Sequence, residues 1–419
     1  MASIGIIGTG TAGLHLGLKL LANGVPVTLY ADKEQEQLRS GRLPGTVAHH
    51  AATRARERSL AVNHWDRPDF GMFQVSVNVG GPQPFGFHGY IEDPSIFVDY
   101  RLYHPRLWED FEERGGQVLV EPVDAAGVER LASQHDLVVV ATGRSGLSAL
   151  FPRLPELSPY TQPQRQLFAG LVRGLRFPRP TGMSYGISPG HGEIFESQLL
   201  THQGVVSSLL IEALPGGAFE PLTTRKYEDD PRRFDALLLE VLREHAPDTY
   251  ARVEPGQFGL LGPLDYVQGA VTPVVRRGYA ALGQGRFVVA LGDAHVTNDP
   301  ISGQGANAAS GAAFALGDVI LDALVGGFDF DEDFCRRAEQ ATWAETRAIT
   351  QWTNAMLQPP PPEMGQMLVS ASEDPNLADV LVNMLMVPER ALATLSSPES
   401  TAAFLARHSQ AGRARASLS

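Results

Sequence analysis

The sequence predicts an α/β protein: a doubly wound parallel sheet, an inserted and mostly antiparallel β layer, and a helical C-terminal region. Three observations predict it. The chain opens on the apolar run Ile4-Gly5-Ile6-Ile7, followed by a glycine turn and a leucine-rich helical stretch. Between about Leu157 and Pro263 the pattern shifts to short alternating runs set off by Gly/Pro-rich turns. At Phe287 the continuous apolar pattern resumes and leads into a long Ala/Gly-rich helix.

Each element follows from its residues. Ile4–Ile7 is apolar throughout, as a strand buried on both faces of a parallel sheet is. Leu14, Leu16, Leu18, Leu20 and Leu21 then form a helix ending near Asn23-Gly24, and Val27-Thr28-Leu29-Tyr30 completes a βαβ unit. Phe73–Val79 alternates with period two, a strand with one wet face, and runs into the turn Gly80-Gly81-Pro82-Gln83-Pro84. Tyr100 to Arg114 reads as a helix burying Leu102, Leu107, Trp108 and Phe111. Val118–Val120 and Leu137–Val140 are continuous apolar strands, the second running into Ala141-Thr142-Gly143. In the inserted layer Leu167–Val172 and Val205–Leu210 are strands, and Pro231–Glu244 is the first clear helix. Phe287–Leu291 leads to Gly292-Asp293 and then to a helix from about Gly305 to Leu324. After Phe330 the chain is helical, broken at Pro359–Pro362. These elements divide the chain into a discontinuous α/β domain (1–67, 91–156 and 264–326), a β domain (68–90 and 157–263) and a helical region (327–419).

A formal net charge of −13 argues against nucleic acid as a partner. The basic clusters are short: Arg54, Arg56 and Arg58 are interrupted by Glu57, and Arg407, Arg413 and Arg415 sit in a Ser/Ala-rich tail. No apolar run reaches the roughly 18–20 residues of a membrane span, and no charged leader precedes the first strand. The single cysteine, Cys335, rules out an internal disulfide and fits a reducing, cytoplasmic setting. Its context, Asp331 to Arg337, reads as a helix surface.

The first motif is Gly8-x-Gly10-x-x-Gly13 between a buried strand and a helix. Gly8 permits the tight turn, Gly10 lets a pyrophosphate approach the backbone, and Gly13 lets helix and strand pack; the free N–H groups near Thr11 and Ala12 face the phosphates. An acidic residue should follow about 20 positions on to bind a ribose. Ala31 occupies the usual slot, so Asp32, one position late, is the candidate.

The second motif is Gly292-Asp293-Ala294-His295 followed by Asp299-Pro300-Ile301-Ser302-Gly303-Gln304-Gly305-Ala306-Asn307. It resembles the second FAD-binding motif of the flavoprotein monooxygenases of the para-hydroxybenzoate hydroxylase superfamily. The fold implied is a Rossmann-like FAD-binding domain of the glutathione reductase type with an inserted β substrate domain. In that family the aspartate binds the ribityl chain and the proline–glycine loop lies along the isoalloxazine ring. A helix starting near Gly305 would direct its positive end toward the N1–C2=O edge of the flavin. The resemblance further implies cationic FAD contacts at Arg42 and Arg101 and an adenine contact at Val123.

Single-component hydroxylases of this superfamily carry an Asp-Gly motif where this chain reads Ala141-Thr142-Gly143-Arg144-Ser145. With Thr142 replacing the aspartate and no second strand–glycine turn–helix unit, reduced flavin is expected to arrive from elsewhere. The whole chain then resembles the oxygenase component of two-component styrene and indole monooxygenases. The matching segments are Gly8–Leu18, Thr46-Val47-Ala48-His49, Val79-Gly80-Gly81-Pro82-Gln83-Pro84, Val98-Asp99-Tyr100-Arg101-Leu102-Tyr103 and Ser188-Pro189-Gly190-His191-Gly192-Glu193. Lys226-Tyr227, Asp229-Asp230-Pro231-Arg232 and Trp352-Thr353-Asn354 continue it.

The resemblance implies an NADH-dependent flavin reductase as partner, FADH2 supplied in trans, O2 as co-substrate and a C4a-hydroperoxyflavin as oxidant. The substrate would be a small aromatic alkene or indole, with thioethers giving sulfoxides. A homodimer is among the assembly states left open. No acid/base residue and no metal is nominated, since electrophilic transfer to an alkene needs a dry, shaped pocket. By resemblance the pocket falls at Gly45, Val47, His49, Met72, Val75 and Ser95. Val47, His49 and Ser95 match the styrene type, while Gly45, Met72 and Val75 stand where an asparagine, a tyrosine and a histidine are expected. The alternatives are a single-component NAD(P)H-dependent FAD aromatic hydroxylase and a non-catalytic flavin carrier. A flavin-dependent halogenase is disfavoured because Trp65, Trp108, Trp343 and Trp352 lie too far apart for its Trp-x-Trp motif.

Overall fold

The computed structural model describes residues 2–67, 70–143 and 146–409. Arg144 and Ser145, and Arg413 and Arg415 of the basic tail, lie outside the described residues.

Ile4–Ile7 lies at the middle of a six-stranded sheet, parallel to Val27–Ala31 on one side and Leu137–Val140 on the other. Gln117–Val120 extends the first side and Phe287–Ala290 the second, both parallel, and Tyr279–Ala281 closes the far edge antiparallel. Ile4, Ile6, Ile7 and Leu137 to Val140 are each at most 2% exposed, as strands covered on both faces must be. The chain leaves the first strand toward Val27–Ala31 and returns later on its other side. A crevice therefore opens at the carboxyl end of Ile4–Ile7, the switch point at which open α/β sheets bind ligands.

A nine-stranded sheet forms the second layer. Its central strands are Gln166–Arg173, Gly204–Ala213, Gly192–Thr201, Gly182–Ser188, Met72–Val79 and Phe85–Phe97, antiparallel except for the parallel pair Met72–Val79 and Gly182–Ser188. Alternation gives it two different faces. Phe168, Ile194, Leu209 and Ile211 pack against Phe234, Leu238 and Val241 of the helix Pro231–His245. Val75, Val77, Tyr185, Ile187, Glu193 and Phe195 face the other way, into a cavity. Phe85–Phe97 stays in this sheet past the boundary expected at 90, and Tyr266–Ala270 pairs with Gln166–Arg173 and so joins the β layer.

The helix Gly305–Gly326 packs against Thr11–Ala22 on one side and Glu332–Met356 on the other. Four shorter helices follow, opening at Pro362, Pro375, Pro388 and Pro398, where the missing N–H would have had no intrahelical partner. Pro375–Leu385 covers Phe85–Phe97: Tyr90 N donates to Asp379 Oδ1 at 2.8 Å, and Asn383 Nδ2 donates to Tyr90 O at 2.7 Å. Strand backbone that would otherwise lie open is thereby satisfied.

Three expectations are corrected. Val118–Val120 is an outer edge strand, with Leu119 and Val120 exposed, because no strand lies beyond it. Cys335 lies on a helix but on its buried side, and burial pushes its thiol up to about 12. Gly305–Gly326 is long and apolar enough to cross a membrane; half of its most apolar window is buried against the protein, as in a core helix.

Candidate active site

Gly8 leaves the first strand at φ +117°, a conformation that L side chains rarely adopt, and its N–H donates to Tyr30 O at 2.8 Å. A Cβ on Gly13 would stand 2.0 Å from Gly8 O, so only glycine lets the helix approach the turn. Around Gly10 an added Cβ would meet nothing within 4 Å. Gly10 is the N-cap of Thr11–Ala22; no side chain caps this helix and its first turn holds no acidic residue. Its free N–H groups and positive dipole end therefore face an open space suited to an anion.

The second motif converges on the same space. Gly292, at φ +61°, brings Asp293 to the cavity wall, and a Cβ there would lie 3.1 Å from that of Ala12. Pro300–Ser302 forms one short turn capped by Asp299 Oδ1, which accepts from Ile301 N at 3.1 Å. Gly303 follows at φ +64°, and Gly305 opens the long helix; a Cβ at either would meet only open space. Gly10, Thr11, Ala12, Asp293, Pro300 and Gly303 all line one cavity, joined by Gly305 and Ala306. Its volume, about 1200 Å³, exceeds the roughly 300–1,000 Å³ that holds a drug-sized ligand. Bare backbone at both glycine turns, a helix N-terminus aimed at each and this volume together fit FAD.

Away from the turns the cavity becomes apolar. Val47, Met72, Val75, Val77, Phe85 and Phe97 line it beside Gly45, and Met364, Leu385 and Met386 of the C-terminal helices close the opposite side. His50 adds a polar ring beside these apolar side chains. Its Nδ1 lies 2.7 Å from Ser95 Oγ, its backbone N donates to Asn307 Oδ1 at 2.9 Å, and its Nε2 is buried with no hydrogen-bond partner. Burial, then the neighbouring His49, lowers its pKa to about 4, so the ring is neutral near pH 7.

Several residues expected at the site stand behind it. His49, on the two-residue strand Ala48–His49, turns away from the cavity to Glu57 Oε1, at 2.6 Å, and to Tyr100 Oη, at 3.2 Å. Ser95 supports His50 and does not reach the cavity wall. Asn307 spends its amide on the protein, accepting from His50 N and Thr53 Oγ1 and donating to Ala48 O and Gly303 O. Arg42 pairs with Glu228 at 2.9 Å and stacks on Tyr266, while Arg101 is held by Asp99 and Asp265 at 2.7 and 2.9 Å. Both cations are thus engaged by protein carboxylates away from the cavity wall. Asp32 is exposed, and Val123 packs in the smaller core beside Gly127; neither lines the cavity.

Sequence reasoning missed His50, Tyr100 and His104 as lining residues. Thr11 Oγ1 joins the latter two at 3.1 Å each. His49 ends the strand Ala48–His49 and His50 is the N-cap of the helix Ala51–Ser59, so the two adjacent rings diverge.

The fold recurs in solved flavoproteins. A structure of pqsL, a probable FAD-dependent monooxygenase from Pseudomonas aeruginosa, matches 94% of this chain and 100% of its own at TM-score 0.58 and 15% identity. A flavoprotein/dehydrogenase from Cytophaga hutchinsonii matches 92% of this chain and 93% of its own at TM-score 0.62 and 12% identity. Likeness at these identities speaks for the fold alone. In sequence, the styrene monooxygenase StyA of Pseudomonas fluorescens is 42% identical over 400 residues, 94% of this chain and 95% of its own length. The StyA of a second Pseudomonas is equally similar. With this fold and these paired glycine turns, the chain is an FAD-dependent monooxygenase. The family model "Styrene monooxygenase A putative substrate binding domain" matches residues 143–252. The chain belongs to the styrene monooxygenase family.

Proposed function

We infer that this chain is the oxygenase component of a two-component system. It takes FADH2 from a separate NADH-dependent flavin reductase and, with O2, epoxidises a styrene-like alkene; the indole C2–C3 bond and aryl sulfides are further acceptors. The observation that carries this reading is the single cavity running from the Gly10 turn, past Pro300–Gly305, to the apolar wall of Met72, Val75 and Val77. Thr142, where direct users of NADPH of this superfamily carry an aspartate, supports supply of reduced flavin in trans.

Reduced FAD, when bound, supplies with O2 the electrophilic oxygen atom. The chain's own residues bind and orient. The helix start at Thr11 and Ala12 receives the pyrophosphate, Asp293 the ribityl chain, and Pro300 to Ala306 the ring system. Gly45, Val47, Met72 and Val75 hold the alkene by apolar contact, and the same side chains exclude water from the transfer. No side chain acts as a general base, because an alkene gives up no proton. The buried, unbridged Cys335 is in keeping with a reducing, cytoplasmic setting.

The test is direct reduction against supply in trans. NADH or NADPH mixed anaerobically with the FAD-loaded chain is expected to leave the flavin oxidised. Rapid bleaching of the oxidised-flavin absorbance would instead favour a single-component hydroxylase.

A further inference from the structure

Outside the glycine turns, Arg165, Glu193 and Asp299 line the cavity wall, and the buried Glu212 beside them completes a cluster of four ionisable side chains. Arg165 precedes the strand Gln166–Arg173, Glu193 and Glu212 are directly opposed on neighbouring strands, and Asp299 begins the Pro300–Gly305 loop. Glu212 and Asp299 are 0% exposed, Arg165 6% and Glu193 8%, so their charges are withdrawn from bulk solvent. The guanidinium is already committed: Arg165 Nε and Nη2 bind Glu193 at 2.8 and 3.0 Å. Glu212 and Asp299 are left with each other, and Tyr185 is a further titratable group near Glu212.

Two carboxylates cannot donate to one another. Counted as anions, Glu212 Oε1 and Oε2 and Asp299 Oδ2 are buried acceptors without a donor. One proton between the two carboxyls removes a buried charge and supplies the missing O–H. Burial, then the neighbouring carboxylate, drives Glu212 well above the usual carboxylate range; burial raises Asp299 as well.

We propose that Glu212 is a positioning residue which shares one proton with Asp299 and, through it, fixes the Pro300–Gly305 loop of the flavin site onto the β layer. Asp299 Oδ1 remains bound to Ile301 N, so its second oxygen is the one free to meet Glu212. The pair joins the strand Gly204–Ala213 to the loop that runs beside the ring system, and its proton is a condition of that join. When the proton leaves, two like charges meet in full burial and the loop is pushed from the β layer. This rests on the flavin reading above, and the sign follows: FAD affinity should fall as pH rises.

Infrared difference spectra of the FAD-free protein at neutral pH test the proton. Wild type should show a protonated-carboxyl C=O band, shifted in D2O, that Glu212→Gln and Asp299→Asn each remove. FAD titration by fluorescence from neutral to alkaline pH tests the positioning. Wild-type affinity should fall on the order of fivefold or more. Glu212→Gln, neutral and still able to donate to Asp299, should match wild type at neutral pH and stay flat. Glu212→Leu, with nothing to donate, should bind weakly throughout. A wild type without such a band, or the same alkaline loss in Glu212→Gln as in wild type, would overturn the proposal. Failure of every protein to bind FAD would defeat the flavin reading and the positioning role with it, while the band still decides the shared proton.

Discussion

His49 Nδ1 lies 2.6 Å from Glu57 Oε1, and both side chains are completely buried. Tyr103 donates to the same carboxylate oxygen at 2.7 Å, and its hydroxyl is also 2.8 Å from His15 Nε2. The network ties the strand before the cavity to three helices, so His49 shapes the site from behind.

His49→Ala should therefore act mainly on stability. It leaves a buried carboxylate with one partner fewer, a change that costs about 3–5 kcal/mol when a buried pair is broken. Urea unfolding checks this. An unchanged midpoint with a changed substrate preference would return His49 to the pocket.

The same network predicts acid sensitivity. Burial acts to raise Glu57, but hydrogen bonding and charge from His49, with Tyr103 and His15, bring it below its ordinary value of 4.5. Its contribution is fully present above that value and lost as pH falls through the lower, folded one. Unfolding followed against pH should show stability falling below about pH 4.5 in wild type, and a shallower fall in Glu57→Gln.

Glycine replacements should separate folding from binding. Gly13→Ala places a Cβ against Gly8 O and should impair folding, whereas Gly10→Ala meets open space and should fold as wild type. The Gly10 methyl would occupy the path of a pyrophosphate, so FAD affinity should drop about tenfold or more, equivalent to about 1.4 kcal/mol. Thermal unfolding and FAD titration of both variants check the split.

His50 should set preference between substrates. Its unpartnered Nε2 can pair with an indole N–H, which styrene lacks. Such a bond contributes about 0.5–1.5 kcal/mol, so His50→Leu should lower the indole-to-styrene product ratio about two- to tenfold. With the ring neutral above about pH 4, the wild-type ratio should be flat around neutrality. Competition assays with both substrates measure it.

What could be read from the sequence was local. The Gly8–Gly13 turn and the Asp293–Ala306 loop declare themselves because strand, turn and helix follow in a few residues, each with a steric reason. Val75, Val77 and Val79 reach the cavity because period-two alternation carries through that stretch, while a register shift between Met72 and Gln74 brings Met72 to the same cavity. His49 and His50 were exchanged because a two-residue strand is too short for alternation to set a register. The pairing of Arg42 and Arg101 was hidden for another reason: their partners Glu228 and Asp265 lie far along the chain, and only the folded β layer brings them close. The meeting of Glu212 with Asp299 is non-local in the same way.

The central claim is oxygen transfer with reduced flavin supplied from outside. The measurement is product analysis after the purified chain is mixed with chemically reduced FAD, O2, styrene and indole, with no NADH or NADPH present. The account predicts styrene epoxide and oxidised indole under those conditions. Product formed only when NAD(P)H is added to the FAD-loaded chain, or no oxygenated product from either substrate, would contradict it.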